Sequence, residues 1–139
     1  MSGGKLMWFI DGLHAEMDSL SFGPEFLAYP AIYDLNIVDL LFKYGVRINA
    51  DVVQDVRCGG VNDRRSIQPW VYFPLLAAQN HPAVQNLNEV KGEFASTLDT
   101  LESPGVRSSI LLRTSINSKA VAAPHTVSLE ALYNRPDPR

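Results

Sequence analysis

Four titratable side chains follow the first strand-like run of the chain: Asp11, His14, Glu16 and Asp18. Carboxylates and imidazoles bind metal ions and exchange protons with substrates. In α/β proteins, ligands bind beyond the carboxyl ends of the strands, which is where this group would lie. We therefore take these four residues as the candidate surface for a ligand or a partner.

Two chemical interpretations of this group are open. A small metal-dependent hydrolase would use the four side chains as metal ligands or as an acid and base pair. Alternatively, Asp11 caps a turn and the other three side chains face water. Because the spacing does not guarantee the convergent geometry that a metal site needs, we favour the second interpretation. It predicts no catalytic residue, no bound metal and no cofactor.

Other motifs do not add a chemical signature. The sequence contains neither a Walker phosphate-binding loop nor a Gly-x-Ser-x-Gly elbow. A dinucleotide-binding half domain would need glycines where His14 and Glu16 stand. His81 precedes Pro82 and is predicted to cap a turn, and His125 has no acidic or cysteine neighbour in sequence. The three histidines therefore do not predict a catalytic set.

Size and composition favour one globular domain. The chain has 139 residues, 46% of them hydrophobic, and a formal net charge of −3. A net negative charge does not indicate the clustered basic surface that nucleic-acid binders need, so we predict no nucleic-acid partner. No apolar run approaches the roughly 20 residues that span a bilayer, so we predict no membrane insertion by this chain. Cys58 is the only cysteine and cannot form an internal disulfide.

The first half of the chain predicts one buried strand, one loop and one helix. The continuous apolar run Leu6 to Ile10 is typical of a strand buried on both faces. Residues 12–30 are rich in turn formers and predict a long loop with one helical turn near its start. A helix is predicted from about Ile37 to Tyr44, capped by Asn36 and stopped by Gly45 in the left-handed conformation.

Later segments predict further short strands at 46–48, 52–56, 70–77, 93–98 and 108–114. Pro74 cannot donate to a strand ladder, which places it at an edge or a bulge. A mixed, largely parallel α/β sheet flanked by helices is the predicted fold class. In this prediction residues 1–133 form a single domain, and that domain is a fragment of a larger protein. Residues 134–139 contain two prolines and are predicted to fray.

The order of these segments resembles a known family. Its most specific stretch is Leu40-Leu41-Phe42-Lys43-Tyr44-Gly45-Val46-Arg47-Ile48-Asn49, and matching stretches occur at 3–11, 17–20, 35–36, 53–55, 70–75, 80–82, 94–99 and 112–115. This pattern resembles the extracytoplasmic region of the gliding-motility-associated ABC transporter auxiliary protein, also described as its substrate-binding component. The resemblance covers nearly the whole chain.

The resemblance implies a fold of the amidotransferase-like or intraflagellar-transport type, here a partial domain. It also implies an anchor in the cytoplasmic membrane outside this chain, a location on the extracytoplasmic (periplasmic) face, and permease and ATPase subunits as partners. The amidotransferase nucleophile is a cysteine on a strand-to-helix elbow. Asp11 and Gly12 stand there instead, and Cys58 lies in a predicted loop. We therefore expect a non-catalytic binding or scaffolding domain.

Self-association is the last expectation from the sequence. A strand buried on both faces needs neighbours, and the segments that would normally precede it are not in this chain. Its open edge would invite pairing with another chain. We expect a two-fold homodimer, the commonest closed symmetry, formed through Leu6 to Ile10 or through the helix face of Ile37, Leu40, Leu41 and Tyr44.

Overall fold

The fold is mostly β. The computed structural model describes residues 3–21, 23–31, 35–62 and 66–129. Strands make up 40% of the structure and helices 11%. Every strand pairing between the described residues is antiparallel. The predicted mixed, largely parallel α/β sheet is therefore wrong. Parallel neighbours need crossovers of a dozen or more residues, usually helical, whereas the longest described helix here has six residues.

Eleven strands and one α-helix are found in the described residues. The strands are β1 (Leu13–His14), β2 (Glu25–Pro30), β3 (Val46–Ile48), β4 (Asp51–Gln54), β5 (Cys58–Asn62), β6 (Ile67–Ala78), β7 (Val90–Lys91), β8 (Leu98–Thr100), β9 (Leu112–Arg113), β10 (Lys119–Ala122) and β11 (His125–Ser128). Helix α1 spans Val38–Lys43, and 3-10 helices span Met17–Ser21 and Pro82–Val84. The predicted frayed segment 134–139 lies outside the described residues.

Strand β6 is the centre of the fold. It pairs with β5 on one side and with β7 and β9 along its second half. The register between β5 and β6 shifts between the pairs Cys58–Pro74 and Gly60–Pro69, with the additional residues on β6. Pro74 therefore borders an irregularity of the bulge type that was predicted there. Strand β2 lies between β1 and β11, whereas β4 pairs with β10 and β3 pairs with β8. The amide of Asp55, after β4, donates to the carbonyl of Val71 in β6 at 2.9 Å, which joins β4 to the central strand.

Aromatic rings form the core. Trp70, Tyr72 and Phe73 lie on β6 and are buried, and the buried Phe94 contacts all three rings. Phe26 of β2 meets Phe94 edge to face, with ring centroids 5.4 Å apart. Aromatic pairs in such geometry stabilise by about 0.5–1.5 kcal/mol beyond the area that they bury. The core therefore joins β6 to β2 through a residue that belongs to neither strand.

Phe94 also corrects the prediction of a strand at 93–98. The residue has a φ of 50° and lies in a turn, and the strand begins only at Leu98. Its amide donates to the carbonyl of Tyr72 at 3.1 Å. Alternation of apolar residues predicted the strand, but the burial of one ring in the core bends the backbone instead.

The apolar run at the start of the chain is not a strand. Residues 3–11 have no regular secondary structure, and Leu6, Met7, Trp8 and Phe9 are all exposed, Phe9 by 90%. The prediction that Leu6 to Ile10 is buried on both faces is therefore wrong. Its composition suits a central strand, but the described residues provide no neighbouring strand to pair with it.

The predicted loop 12–30 holds more structure than expected. It contains β1, the 3-10 helix Met17–Ser21 and β2. The 3-10 helix confirms the predicted helical turn, but strand β2 was not predicted.

His81 confirms its predicted role as a cap, since its Nδ1 accepts a hydrogen bond from the amide of Ala83 at 3.1 Å.

Helix α1 is shorter and more exposed than predicted. Asn36 does not cap it: Ile37 occupies the cap position with no side-chain hydrogen bond, and Asn36 has a φ of 50°. None of the helix residues is buried. Gly45 follows the helix with a φ of 69°, which confirms the predicted left-handed stop. The helix therefore packs on β3 but leaves much of its apolar surface open.

Gly45 and Gly105 allow a matched test of this stop. Both have positive φ, but a Cβ on Gly45 would lie 2.7 Å from the carbonyl oxygen of Leu101, whereas Gly105 has open space. Gly105→Ala should cost about 1–2 kcal/mol of unfolding free energy from φ alone. Gly45→Ala should cost about 1–3 kcal/mol more because the main chain of residue 101 must move. Urea unfolding at 25 °C measures both. Equal losses of unfolding free energy in the two variants would show that the main chain near Leu101 moves away from the added Cβ without cost.

A tyrosine and a histidine connect the core to β11. The hydroxyl of Tyr72 lies 2.9 Å from Nε2 of His125. Burial raises the pKa of the Tyr72 phenol, and a hydrogen bond with Gln54 opposes this shift. Partial burial lowers the pKa of His125, and the positive charge of Lys119 lowers it further. Both shifts favour the neutral pair in the folded protein.

The pKa shift of His125 predicts a pH dependence. As the pH falls through the ordinary histidine value of 6.5, the unfolded chain gains a proton that the folded chain does not yet bind. Stability should therefore be full above that pH and decline below it. We expect His125→Gln, which cannot titrate, to lose less unfolding free energy than the parent chain between about pH 7.5 and pH 5.5. Parallel losses in urea unfolding would contradict this assignment.

Candidate functional site

An open cleft of about 350 Å³ lies beside β1 and the 3-10 helix that follows it. Its lining combines four acidic residues with an apolar floor: Asp11, Glu16, Asp18 and Glu93 are the acids, and Leu13, Ala15, Met17 and Phe94 are the others. Leu13 and Phe94 belong to the buried core. The cleft is thus built directly on the core of the domain.

Local structure positions the acids at the rim. Asp11 precedes β1, Glu16 follows it, and Asp18 lies in the first turn of the 3-10 helix. The amide of Ala31 donates to the carbonyl of Gly12 at 3.0 Å, which holds the start of this segment beside the end of β2. Gly12 itself packs tightly, since a Cβ there would lie 2.2 Å from Oγ of Ser96. Three predicted site residues therefore lie on one cleft.

His14, the fourth predicted residue, does not line this cleft. Side chains alternate along β1, so the buried Leu13 and the exposed His14 point to opposite faces. The imidazole instead contacts the ring of Tyr29 on β2, with centroids 4.8 Å apart. His14 therefore lies on the opposite face of β1 from Leu13 and outside the lining of the cleft.

Glu93 and Phe94 complete the cleft and were not predicted as site residues. They lie about eighty positions further along the chain, in the turn that Phe94 makes to enter the core. Nζ of Lys91 forms an ion pair with Oε1 of Glu93 at 2.7 Å, which offsets part of the negative charge. The same ammonium group lies 4.8 Å from the centre of the Phe73 ring. No local sequence signal links these residues to Asp11.

The arrangement suits binding of groups that carry positive charge or donate hydrogen bonds. Exposed carboxylates at the rim accept hydrogen bonds, and the apolar floor offers contact to carbon atoms. Among the residues that the structure describes, no group of three or more histidine, cysteine, aspartate or glutamate side chains could hold a metal ion. The four predicted residues therefore do not converge into the metal centre that the hydrolase interpretation requires.

The comparisons with known proteins place this domain in a transport system. The chain belongs to the family described as ABC-type uncharacterized transport system, whose match covers residues 1–139. It is an auxiliary component of such a system, and membership implies that it assembles with transporter components. No curated protein and no solved structure matches the chain. None of the helices in the described part is long and apolar enough to cross a membrane.

Proposed function

We propose that this chain is a non-catalytic binding or scaffolding domain in an ABC transporter complex of the gliding-motility type. Family membership supports the transport role, and the sequence resemblance supports the gliding-motility type. In this proposal the domain lies on the extracytoplasmic (periplasmic) face of the cytoplasmic membrane. Segments outside this chain anchor it, and permease and ATPase subunits are its partners.

The observation that carries the proposal is the extent of exposed apolar surface. Large apolar side chains are exposed in two regions of the described chain, the segment before β1 and the surroundings of α1: Leu6, Met7, Trp8, Phe9, Leu40, Phe42 and Tyr44. Large exposed apolar patches mark interaction sites. A domain with this surface is therefore suited to assembly with other chains.

The acidic cleft is the proposed surface for a ligand or partner. Asp11, Glu16 and Asp18 provide its rim, and His14 on the opposite face of β1 provides a separate contact. Mutual repulsion of these carboxylates would fall when a positively charged group enters. This charge pattern favours a basic segment of a transporter subunit over an anionic ligand.

A charge-neutralising variant tests the cleft. The triple variant Asp11→Asn, Glu16→Gln, Asp18→Asn should weaken co-purification with the permease about tenfold, because it removes the attraction to a basic segment. The matched control neutralises three exposed acids outside the cleft: Glu25→Gln, Asp39→Asn and Glu102→Gln. It should bind like the parent chain. If both variants bind equally, the cleft is not the contact surface.

Divalent cations separate this proposal from a metal-dependent hydrolase. A cation that binds only the folded chain raises the melting temperature, and the rise grows with the logarithm of the cation concentration above its dissociation constant. We expect no concentration-dependent rise with zinc, manganese or calcium up to about 1 mM. A concentration-dependent rise that the triple variant abolishes would support the metal-dependent interpretation and contradict ours.

The exposed apolar surface also leads us to propose a two-fold homodimer. Leu6 to Ile10 and the surface of α1 are its two candidate contact regions, since both expose large apolar side chains. Light scattering behind a sizing column should give twice the chain mass. A monomer over a wide concentration range would contradict self-association, although it would leave the transporter assignment untouched.

A further inference from the structure

The ribbon of β3 and β8 has an open edge. Its ladder pairs Val46 with Thr100, Arg47 with Asp99 and Ile48 with Leu98. The hydrogen bonds that extend it join the carbonyl of Gly45 to the amide of Leu101 and the amide of Asn49 to the carbonyl of Thr97. In an antiparallel pair, successive residues direct their main-chain groups alternately toward and away from the partner. The main-chain groups of Leu98 and Thr100 therefore point away from β3.

None of the described strands covers this outer edge. Strand β8 pairs only with β3 in the described chain, and α1 packs against β3. A two-stranded ribbon is marginally stable in water and gains stability from a third strand. Leu98 on β8 is 63% exposed, so the edge also offers an apolar contact.

Three other edge strands carry a basic residue, and β8 does not. Natural edge strands often carry lysine or arginine, which discourages pairing with another chain. Strand β7 carries Lys91, β9 carries Arg113 and β10 carries Lys119. The charged residue of β8, Asp99, is turned toward Arg47, whose guanidinium lowers the pKa of the Asp99 carboxyl by hydrogen bonding. The outer edge of β8 thus presents leucine and threonine without a basic residue.

The segment 6–10 has the complementary properties. It is apolar and exposed, and none of the main-chain hydrogen bonds of the described residues involves it. From Met7 to Ile10 exposure alternates: Phe9 is exposed by 90% and Met7 by 78%, whereas Trp8 is exposed by 44% and Ile10 is half-buried. This period of two is that of an extended strand. Leu6, at 72%, does not follow this alternation. Strand addition to an exposed edge is a recurring mode of recognition between chains.

We propose that residues 6–10 of one copy add as a third strand to the outer edge of β8 in a second copy. This inference rests on the homodimer proposed above and names its contact. Two-fold symmetry lets each copy donate one strand and accept one, so both open edges close at once.

Mixed-chain crosslinking tests the contact directly. In a Cys58→Ser background, chains with Phe9→Cys are mixed with chains with Leu98→Cys under mild oxidation. We expect a disulfide-linked heterodimer on a non-reducing gel, because side chains of neighbouring strands lie within disulfide reach. The control mixes the Phe9→Cys chains with Lys119→Cys chains, whose cysteine lies on the edge strand β10. That mixture should crosslink about tenfold more slowly.

A pair of lysine variants gives a second measurement. Leu98→Lys adds to β8 the basic residue that β7, β9 and β10 carry, and it should raise the dimer dissociation constant about tenfold. Since Leu98 is exposed, unfolding of the monomer should change little. Ile116→Lys, at a side chain 99% exposed, is the control and should leave dissociation unchanged.

The outcomes separate the two proposals. Crosslinking at 98 together with weaker dimers of Leu98→Lys supports strand addition. A dimer that is unaffected by Leu98→Lys and does not crosslink at 98 overturns strand addition but preserves the homodimer. In that case Leu40→Lys on α1 should weaken the dimer. A monomer at all concentrations overturns both.

Discussion

The burial of Phe94 among four other aromatic rings is the constraint on which the rest of this structure depends. Trp70, Tyr72 and Phe73 provide three of these rings from a single strand, β6, and Phe26 provides the fourth from β2. To place its ring there, Phe94 adopts a φ of 50°, which is uncommon for a bulky residue. Packing of the aromatic ring offsets this local cost. The backbone bend at Phe94 also determines where β8 begins and where Glu93 lies.

The candidate cleft follows from the same constraint. Leu13 and Phe94 are core residues that also form part of the cleft floor. The acidic rim is therefore attached to the buried core of the domain, even though its carboxylates are exposed. Asp55 has a comparable structural role elsewhere: it is buried, and its carboxylate accepts hydrogen bonds from the amide and hydroxyl of Ser115 at 2.8 and 2.6 Å. Asp55 thus holds the loop around Ser115 against β4 and β6.

Features that depend on neighbours in sequence were predictable, whereas the pairing and direction of the strands were not. Gly45 at a helix end, His81 before a proline and the long apolar strand around Trp70 depend on neighbours in sequence, and all three were predicted. Strand direction depends on residues far apart, so the predicted parallel sheet was wrong. Strand β5 was missed because its glycines are typical of loops. In the structure they permit close packing, since a Cβ on Gly60 would lie 2.2 Å from the Ile67 side chain. For the site, Asp11, Glu16 and Asp18 were found by their proximity, whereas Glu93 reaches them only through the fold.

For the run Leu6 to Ile10, composition alone could not predict which surface covers the segment. Five consecutive apolar residues indicate that the segment is more stable away from water, but they do not specify which surface covers it. Burial within the described fold would require a neighbouring strand, and β6, the strand with the largest apolar content, already has partners along both sides. In the described chain, therefore, neither this segment nor the outer edge of β8 is paired with a strand. An auxiliary component of a transport system acts through assembly, and in this domain the surface available for assembly is the part that the aromatic core does not bury.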